Sequence, residues 1–177
     1  QSFGYSRYLP LGRPECLIEN LDRWGADEIL LQVIDRSAMN AGPDYQLLES
    51  VANLGLGTPL IYAGGIRSVD DGVKVIQSGA DRLAVDAIIH DDLAVLSALS
   101  ERLGRQAIIA SLPMVAKGNE IELFDYRSTT TSVISASLAN LIQEGAISEV
   151  LLIDPKNEGV ENGFDVNLVK QFPNTDV

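Results

Sequence analysis

Short, uninterrupted apolar runs alternate along this chain with stretches of helical periodicity, and this alternation limits the folds that the chain can adopt. Strands that are apolar on both faces are typical of a parallel sheet covered by helices. The predicted strands lie at residues 29–34, 59–63, 82–86, 107–112 and 150–153. The predicted helices lie at residues 14–24, 45–54, 69–78, 92–103 and 133–143, with another beginning near Val166. Short connections between alternating elements predict an α/β fold.

Local signals fix some of the helix ends. Ser68 lies three residues before Asp71 and predicts a capping box at the start of the helix over 69–78. Gly79 and Gly104 lie where two helices should stop.

The two halves of the chain repeat each other at an offset of 121 residues. The identical pairs are Phe3 and Phe124, Tyr5 and Tyr126, Leu17 and Leu138, Glu28 and Glu149, Leu30 and Leu151, Leu31 and Leu152, Gly42 and Gly163, Asp44 and Asp165, and Leu47 and Leu168. They fall at equivalent points of strand, loop and helix, which favours two homologous halves and a parent of about 240 residues, the size of a (β/α)8 barrel. The alternative is that any two β-loop-α units look alike.

We therefore predict a single domain over residues 1–177, an incomplete (β/α)8 TIM barrel that covers strands two to six. The first strand would precede Gln1 and the last two would follow Val177, so we expect the chain to be a fragment truncated at both ends. A doubly wound open sheet is the alternative fold, and it would leave the repeat unexplained.

Charge and composition exclude several classes of function. With 13 Lys and Arg against 25 Asp and Glu, the formal charge is −12, and no basic stripe is present for a nucleic acid. The single cysteine, Cys16, and the single histidine supply too few ligands for a metal centre, and we expect no metal and no cofactor. Since no apolar stretch approaches the length of a membrane span, we expect no membrane partner and a cytoplasmic location.

Two predicted loops would share the C-terminal face of the barrel, where barrel ligands bind. Gly64 and Gly65 precede a helix, so their amides could cradle a phosphate, although a simple tight turn also explains them. Asp86 ends the next strand. The polar loop at 156–163 is a candidate ligand contact, with a solvated connector as the alternative. His90, beside two carboxylates, is interpreted as a surface or capping residue.

Three charged residues each come immediately before an apolar run. Glu28, Arg82 and Glu149 begin predicted strands and would ring the N-terminal mouth of a barrel. Opposite charges there could close a salt-bridged layer, and the alternative is three unrelated surface charges.

Taken together, these segments resemble the cyclase subunit of imidazole glycerol phosphate synthase, a (β/α)8 barrel of histidine biosynthesis with a twofold internal repeat, and its relatives from surface-polysaccharide gene clusters. The resemblance spans nearly the whole chain and depends on the order and spacing of its motifs. The matching segments are residues 1–4, 12–14, 24–31, 62–66, 79–82, 149–152, Gly159 and 163–165.

The resemblance implies a glutaminase subunit that docks on the N-terminal mouth as a heterodimer partner. It implies that Glu28, Arg82 and Glu149 are positions of the gate through which ammonia enters the barrel. It also implies that phosphate-binding positions include Gly64, Gly65, Asp86 and Gly159.

The chain departs from this family at its catalytic face. Pro113 stands where the family has one of its two acid-base aspartates, and proline has no proton to exchange. The other aspartate would lie before Gln1, so the catalytic residues are unknown. Glu158 keeps an acid beside Gly159 and is a catalytic candidate. Asp86 with Ala87 replaces an asparagine-threonine pair that faces phosphate, and its extra carboxylate would repel that group.

The expected function is that of a divergent cyclase-type subunit, which uses ammonia from a partner glutaminase to add nitrogen to a phosphorylated or nucleotide-linked sugar. One alternative is a catalytically silent barrel that activates or scaffolds a glutaminase, which Pro113 favours. The other is the related phosphoribosyl isomerase of histidine biosynthesis, which shares the loop at residues 64–67 but needs no ammonia.

Overall fold

Strands and helices alternate through most of the computed structural model, which describes residues 12–118, 120–161 and 163–172. The strands are β1 (Ile29–Gln32), β2 (Leu60–Ala63), β3 (Arg82–Val85), β4 (Ile108–Lys117), β5 (Glu120–Asp125), β6 (Thr130–Val133) and β7 (Glu149–Ile153). The helices are α1 (Pro14–Arg23), α2 (Ile34–Ala38), α3 (Tyr45–Ala52), α4 (Val69–Gln77), α5 (Ala87–Asp91), α6 (Leu93–Leu103) and α7 (Ala136–Gln143). The matching segment at 1–4, the repeat positions Phe3 and Tyr5, and Asn162 lie outside the described residues.

Five of the strands pair in parallel in the order β1-β2-β3-β4-β7. Each of these strands lies beside the next parallel strand along the chain, so the order never reverses as it does at the switch point of a doubly wound sheet. The five correspond to strands two to six of the predicted barrel. The predicted fold class, an incomplete (β/α)8 barrel, is confirmed for the part of the chain that the structure describes.

A β-hairpin interrupts this alternation and corrects the sequence prediction. The second half of β4 turns into an antiparallel ladder with β5, which pairs in turn with β6. The helix predicted at 133–143 therefore begins later, at Ala136, because residues 130–133 form β6. The helix predicted near Val166 is also wrong, since turns lead there into a short 3-10 helix, Val169–Gln171. The sequence prediction missed the short helices α2 and α5.

The parallel sheet buries apolar residues on both faces. A large core lies between the sheet and the helices and includes Tyr62, Leu83, Leu99, Ile108 and Leu138. The opposite face carries a smaller cluster, which we call the inner cluster; it consists of Ile61, Ala63, Ala84 and Ile109, with Leu151 packed against it. The two sets alternate along β2, β3, β4 and β7, as the two-residue period of a β-strand requires. The inner cluster is thus the interior of the barrel.

The capping box predicted at the start of α4 is confirmed. The hydroxyl oxygen of Ser68 accepts a hydrogen bond from the Asp71 amide at 3.1 Å, and an Asp71 carboxylate oxygen accepts one from the Ser68 amide at 3.1 Å.

We predict that Ser68→Ala lowers the free energy of unfolding by about 1 kcal/mol, because an amide of the first turn of α4 loses its hydrogen-bond acceptor. Denaturant unfolding measures the change. Ser137→Ala, at an exposed position inside α7, is the control and should not destabilise the protein; equal losses in the two variants would contradict the capping role.

Candidate functional site

Arg82 joins Glu28 and Glu149 at the N-terminal end of the parallel sheet. Its Nη1 atom lies 2.9 Å from Glu28 Oε1, and its Nη2 atom lies 2.6 Å from Glu149 Oε1. The Arg82 side chain is 14% exposed, whereas those of Glu28 and Glu149 are 38% and 41% exposed. We call these three residues the mouth cluster. The predicted salt-bridged layer is confirmed, and its role as an ammonia gate stays a prediction.

Two further groups fix the orientation of the Arg82 guanidinium. Nη2 donates to Ser148 Oγ at 2.7 Å, and Nε donates to the carbonyl oxygen of Gln106 at 3.1 Å. Burial opposes the charged form, but hydrogen bonds to Glu149 and Glu28 outweigh it and raise the pKa of Arg82. The guanidinium therefore stays charged and is held in one orientation by acceptors on several sides. Sequence analysis missed Ser148, although it directly precedes Glu149.

A pocket opens at the other end of the strands, on the C-terminal face. Its lining includes the polar side chains of Gln32, Ser37, Asp86 and Ser111, together with the backbone of Gly64. Ser37 and Ser111 are buried, with 6% and 4% of their surfaces exposed. Arg82, Ala84 and Asp86 share one face of β3 and the residue after it, so the mouth cluster and the pocket lie at opposite ends of that face. Ala63 and Ala84 of the inner cluster also line the pocket.

Gly64 and Gly65 allow the loop after β1 to lie directly against them. Their φ angles are 126° and 72°, in the region that favours glycine. A Cβ atom at Gly64 would lie 2.4 Å from the Val33 carbonyl oxygen, and one at Gly65 would lie 2.6 Å from that of Ala41. Close backbone packing therefore accounts for both glycines. Their phosphate-binding role stays a prediction.

A chain of hydrogen bonds links Gly65 to Asp86 across the pocket. The Gly65 amide donates to Ser37 Oγ at 3.2 Å, and Ser37 Oγ donates to Asp86 Oδ1 at 3.2 Å. The Ala87 amide, at the start of α5, also donates to Asp86 Oδ1, at 2.6 Å. Sequence analysis missed Ser37, since nothing in the loop at 35–42 shows that it reaches a strand end far along the chain.

The loop after β7 is shaped by the buried side chain of Asp154. Its Oδ2 atom accepts hydrogen bonds from Asn157 Nδ2 at 2.8 Å and from the Asp165 amide at 2.9 Å, which closes the loop. Glu158 is half-buried and Gly159 is exposed within this loop. The catalytic role of Glu158 and the phosphate contact of Gly159 stay predictions.

Tyr126, on the turn between β5 and β6, belongs to the same face and was missed by sequence analysis. Burial raises its pKa to about 12, and the negative charges of Glu158 and Asp86 add to the effect. The hairpin thus brings a phenol near both carboxylates.

Pro113 pairs with Ile153 in the sheet and lies on the same strand face as Ser111.

The hairpin is attached to α5 by charged side chains. Arg127 donates to both carboxylate oxygens of Asp91, at 2.7 and 2.9 Å, and to Asp125 at 3.1 Å. His90 is half-buried beside this cluster, and burial lowers its pKa, an effect that Arg127 strengthens and Asp125, Asp86 and Asp91 oppose.

Residues 12–118, 120–161 and 163–172 show neither a metal site nor a membrane-spanning helix. Among these residues, no group of three or more His, Cys, Asp or Glu side chains is arranged to hold a metal ion. None of the helices within those ranges combines the length and the apolar composition that crossing a bilayer requires.

Residues 12–175 match the model of the histidine biosynthesis protein family. The chain is also similar to imidazole glycerol phosphate synthase subunits HisF from Hyphomonas neptunium, Metallosphaera sedula and Myxococcus xanthus, with 31%, 30% and 29% identity over 90%, 93% and 90% of its length. The matches cover 63%, 66% and 63% of these relatives. The chain therefore spans less than two thirds of the length of each of them.

The position of His90 predicts a pH dependence that can be assigned to one group, because the chain has one histidine. Its lowered folded-state pKa means that the stability contribution is complete above the unfolded value of about 6.5 and is lost as the pH falls below it. We expect the free energy of unfolding to fall between about pH 7 and pH 5, by at most about 1.4 kcal/mol per pH unit for this proton. His90→Asn should flatten this part of the curve. An imidazole NMR titration with a midpoint above 6.5 would contradict the prediction.

Proposed function

The chain belongs to the histidine biosynthesis protein family, and on that premise we propose that it acts as a divergent cyclase-type subunit of a glutamine-dependent synthase. It receives ammonia from a separate glutaminase subunit, with which it forms a heterodimer, and adds the nitrogen to a phosphorylated or nucleotide-linked sugar. The reaction belongs to histidine biosynthesis or to the amidation of a surface polysaccharide. Residues 1–177 contribute a single barrel domain to this subunit.

The mouth cluster is the observation that carries the proposal. An isolated surface ion pair contributes little to stability, but here one guanidinium is held between two carboxylates, one directly before β1 and one at the start of β7. Stability alone is a poor reason for such an arrangement at the open end of a barrel. A charged ring that controls what enters the barrel explains it.

The inner cluster supports the transfer of ammonia rather than of ammonium. Its residues, Ile61, Ala63, Ala84 and Ile109, offer no charged group above the mouth cluster. Moving an unpaired ammonium ion into such surroundings is strongly unfavourable, whereas neutral ammonia loses only its hydrogen bonds to water. Nitrogen therefore passes as NH3, which is the nucleophilic form that the C-terminal face requires.

On the C-terminal face, Glu158 is the proposed catalytic residue, and Gly159 of the same loop contacts the ligand. Addition of ammonia to a sugar carbon and loss of water require a group that takes up and returns protons. Glu158 can do so through its carboxylate. Tyr126 lies in the same region, since the charges of Glu158 and Asp86 both help to raise its pKa.

Charge reversal at Arg82 tests the gate. In the full-length protein with its glutaminase, we expect Arg82→Glu to lower glutamine-dependent product formation at least about tenfold, because three carboxylates would then repel one another at the mouth. Product formation supported by added ammonium salt should fall less. Arg102→Glu, at an exposed position on α6, is the matched control. If glutamine-dependent output is the same in both variants, the gate assignment fails.

A catalytically silent barrel that activates a glutaminase is the second candidate, and Pro113 favours it because this residue has no proton to exchange. Glutaminase turnover measured with and without the full-length chain, and with and without a nucleotide-linked sugar, separates the two candidates. The cyclase-type function predicts an aminated or cyclised product by mass spectrometry. Stimulated glutamine hydrolysis without any such product would leave the scaffold function alone.

A further inference from the structure

We propose that Arg127 is a positioning residue, which holds the β5–β6 hairpin against α5 and so places the phenol of Tyr126 on the C-terminal face as a contact for the ligand. The inference rests on the proposed function, which makes this face the ligand side of the barrel. It adds a neutral hydrogen-bonding group beside Glu158, since a phenol can both donate and accept.

The path of β4 and β5 returns the hairpin to the C-terminal face. β4 continues past the end of the parallel sheet, since Pro113 pairs with the last residue of β7 and the next residue, Met114, pairs with Leu123 of β5. β5 runs antiparallel to β4, so the residues after Leu123 come back toward the C-terminal ends of the parallel strands. Tyr126, three residues after Leu123, therefore lies at that face.

Alternation along β5 and the residue after it gives the direction of Tyr126. Leu123 is 4% exposed and belongs to the large core between the sheet and the helices, and Asp125 lies on the same face of the strand. Phe124 and Tyr126 lie on the opposite face, where their rings meet edge to face with centroids 5.2 Å apart. Phe124 is buried, so it fixes one side of the Tyr126 ring by packing.

The electrostatic surroundings of the phenol agree with this direction. Burial, together with the negative charges of Glu158 and Asp86, raises the pKa of Tyr126 to about 12. Glu158 lies on the loop after β7 and Asp86 directly follows β3, so two separate elements of the C-terminal face act on the same phenol. The phenol stays protonated at neutral pH and can donate a hydrogen bond to a ligand beside Glu158.

Arg127 joins the hairpin to α5 because its guanidinium binds carboxylates from both elements. Nη1 donates to Asp91 Oδ2 at 2.7 Å and Nη2 donates to Asp91 Oδ1 at 2.9 Å, which is a bidentate pair with the last residue of α5. Nε and Nη2 also donate to the two carboxylate oxygens of Asp125, each at 3.1 Å. The side chain of Arg127 is 20% exposed and that of Asp125 is 17% exposed. Bidentate, partly buried pairs of this kind fix the geometry of an arginine more strictly than a single surface contact does.

α5 gives these ion pairs a fixed support. Its first three residues are buried, so the helix is packed against the core. Hydrogen bonds from Arg127 are the main cause of a lowered pKa at Asp91, so this carboxylate is charged at neutral pH and the ion pair is complete. Because Arg127 directly follows Tyr126 in the chain, the same ion pairs hold the backbone that carries the phenol.

An NMR titration of the full-length protein, isotope-labelled at the tyrosine Cζ atoms, tests the proposal, with Tyr126→Phe to assign the signal. In the unmodified protein we expect a pKa of about 12 for Tyr126. Arg127→Gln should lower this pKa toward the value of about 10 of an exposed tyrosine, because the phenol then leaves its buried place beside Glu158. Arg102→Gln, which removes an exposed arginine from α6, is the matched control and should leave the pKa unchanged.

The sign of the change separates displacement of the phenol from the loss of a charge. If Tyr126 kept its place, the removal of a neighbouring cation would leave its pKa unchanged or raise it. Either of these results in Arg127→Gln overturns the proposal. Glu158→Gln leaves the ion pairs intact and should also lower the pKa of Tyr126, so an unchanged pKa in this variant overturns the proposal even if Arg127→Gln does not fold.

Product formation from ammonium salt tests the role of the phenol as a ligand contact. We expect Tyr126→Phe and Arg127→Gln each to lower it about tenfold, as the loss of one hydrogen bond to the reacting ligand would. The double variant should be no worse than Tyr126→Phe, because Arg127 acts through Tyr126. Additive losses, or full activity in Tyr126→Phe, overturn the proposal. Failure of the proposed function would instead appear as no product from the unmodified protein, whereas the titration of Tyr126 needs no product.

Discussion

The two-residue alternation of a parallel strand that is covered on both faces is the constraint on which this structure depends. Along β3, Leu83 and Val85 face the helices, whereas Arg82, Ala84 and, one residue past the strand, Asp86 alternate onto the inner face. One short segment therefore supplies the ion pair at the mouth, part of the apolar interior and the carboxylate of the pocket. A shift of the register by one residue would point the side chains of Arg82, Ala84 and Asp86 toward the helices instead.

Arg82 and Asp86, the charged residues at the two ends of this segment, are held by different kinds of partner. Arg82 is held by two carboxylates, a hydroxyl and a carbonyl oxygen, whereas Asp86 is held by a hydroxyl and a backbone amide. The first arrangement pairs one cation with two anions and so also carries a net negative charge. The second leaves a net negative charge at the pocket, because its partners are neutral donors. The two ends therefore differ in how the buried charge is held, by ion pairs at the mouth and by neutral donors at the pocket.

Local and periodic features of the sequence predicted most of the helices and parallel strands. Contacts between residues far apart in the sequence were not predicted. Ser68 and Asp71 are adjacent on one helical turn, so their capping box follows from spacing alone. The hairpin was missed because only continuous apolar runs were taken as strands, although Ile121 and Leu123 alternate with glutamates in the pattern of a half-buried strand. Ser37 reaches Asp86 across 49 positions, a contact that no single-sequence periodicity encodes.

The internal repeat also has a counterpart in the contacts of the folded chain. Glu28 and Glu149, identical at the offset of 121 residues, bind the same guanidinium through its two terminal nitrogens. At the same offset Ser37 corresponds to Glu158, so each half places a polar side chain in the loop that follows its equivalent strand. The predicted repeat thus places corresponding residues at both ends of the barrel, with the same chemistry at some positions and different chemistry at others. At the mouth both halves carry a carboxylate, whereas on the C-terminal face Ser37, whose hydroxyl donates to Asp86, corresponds to the carboxylate of Glu158.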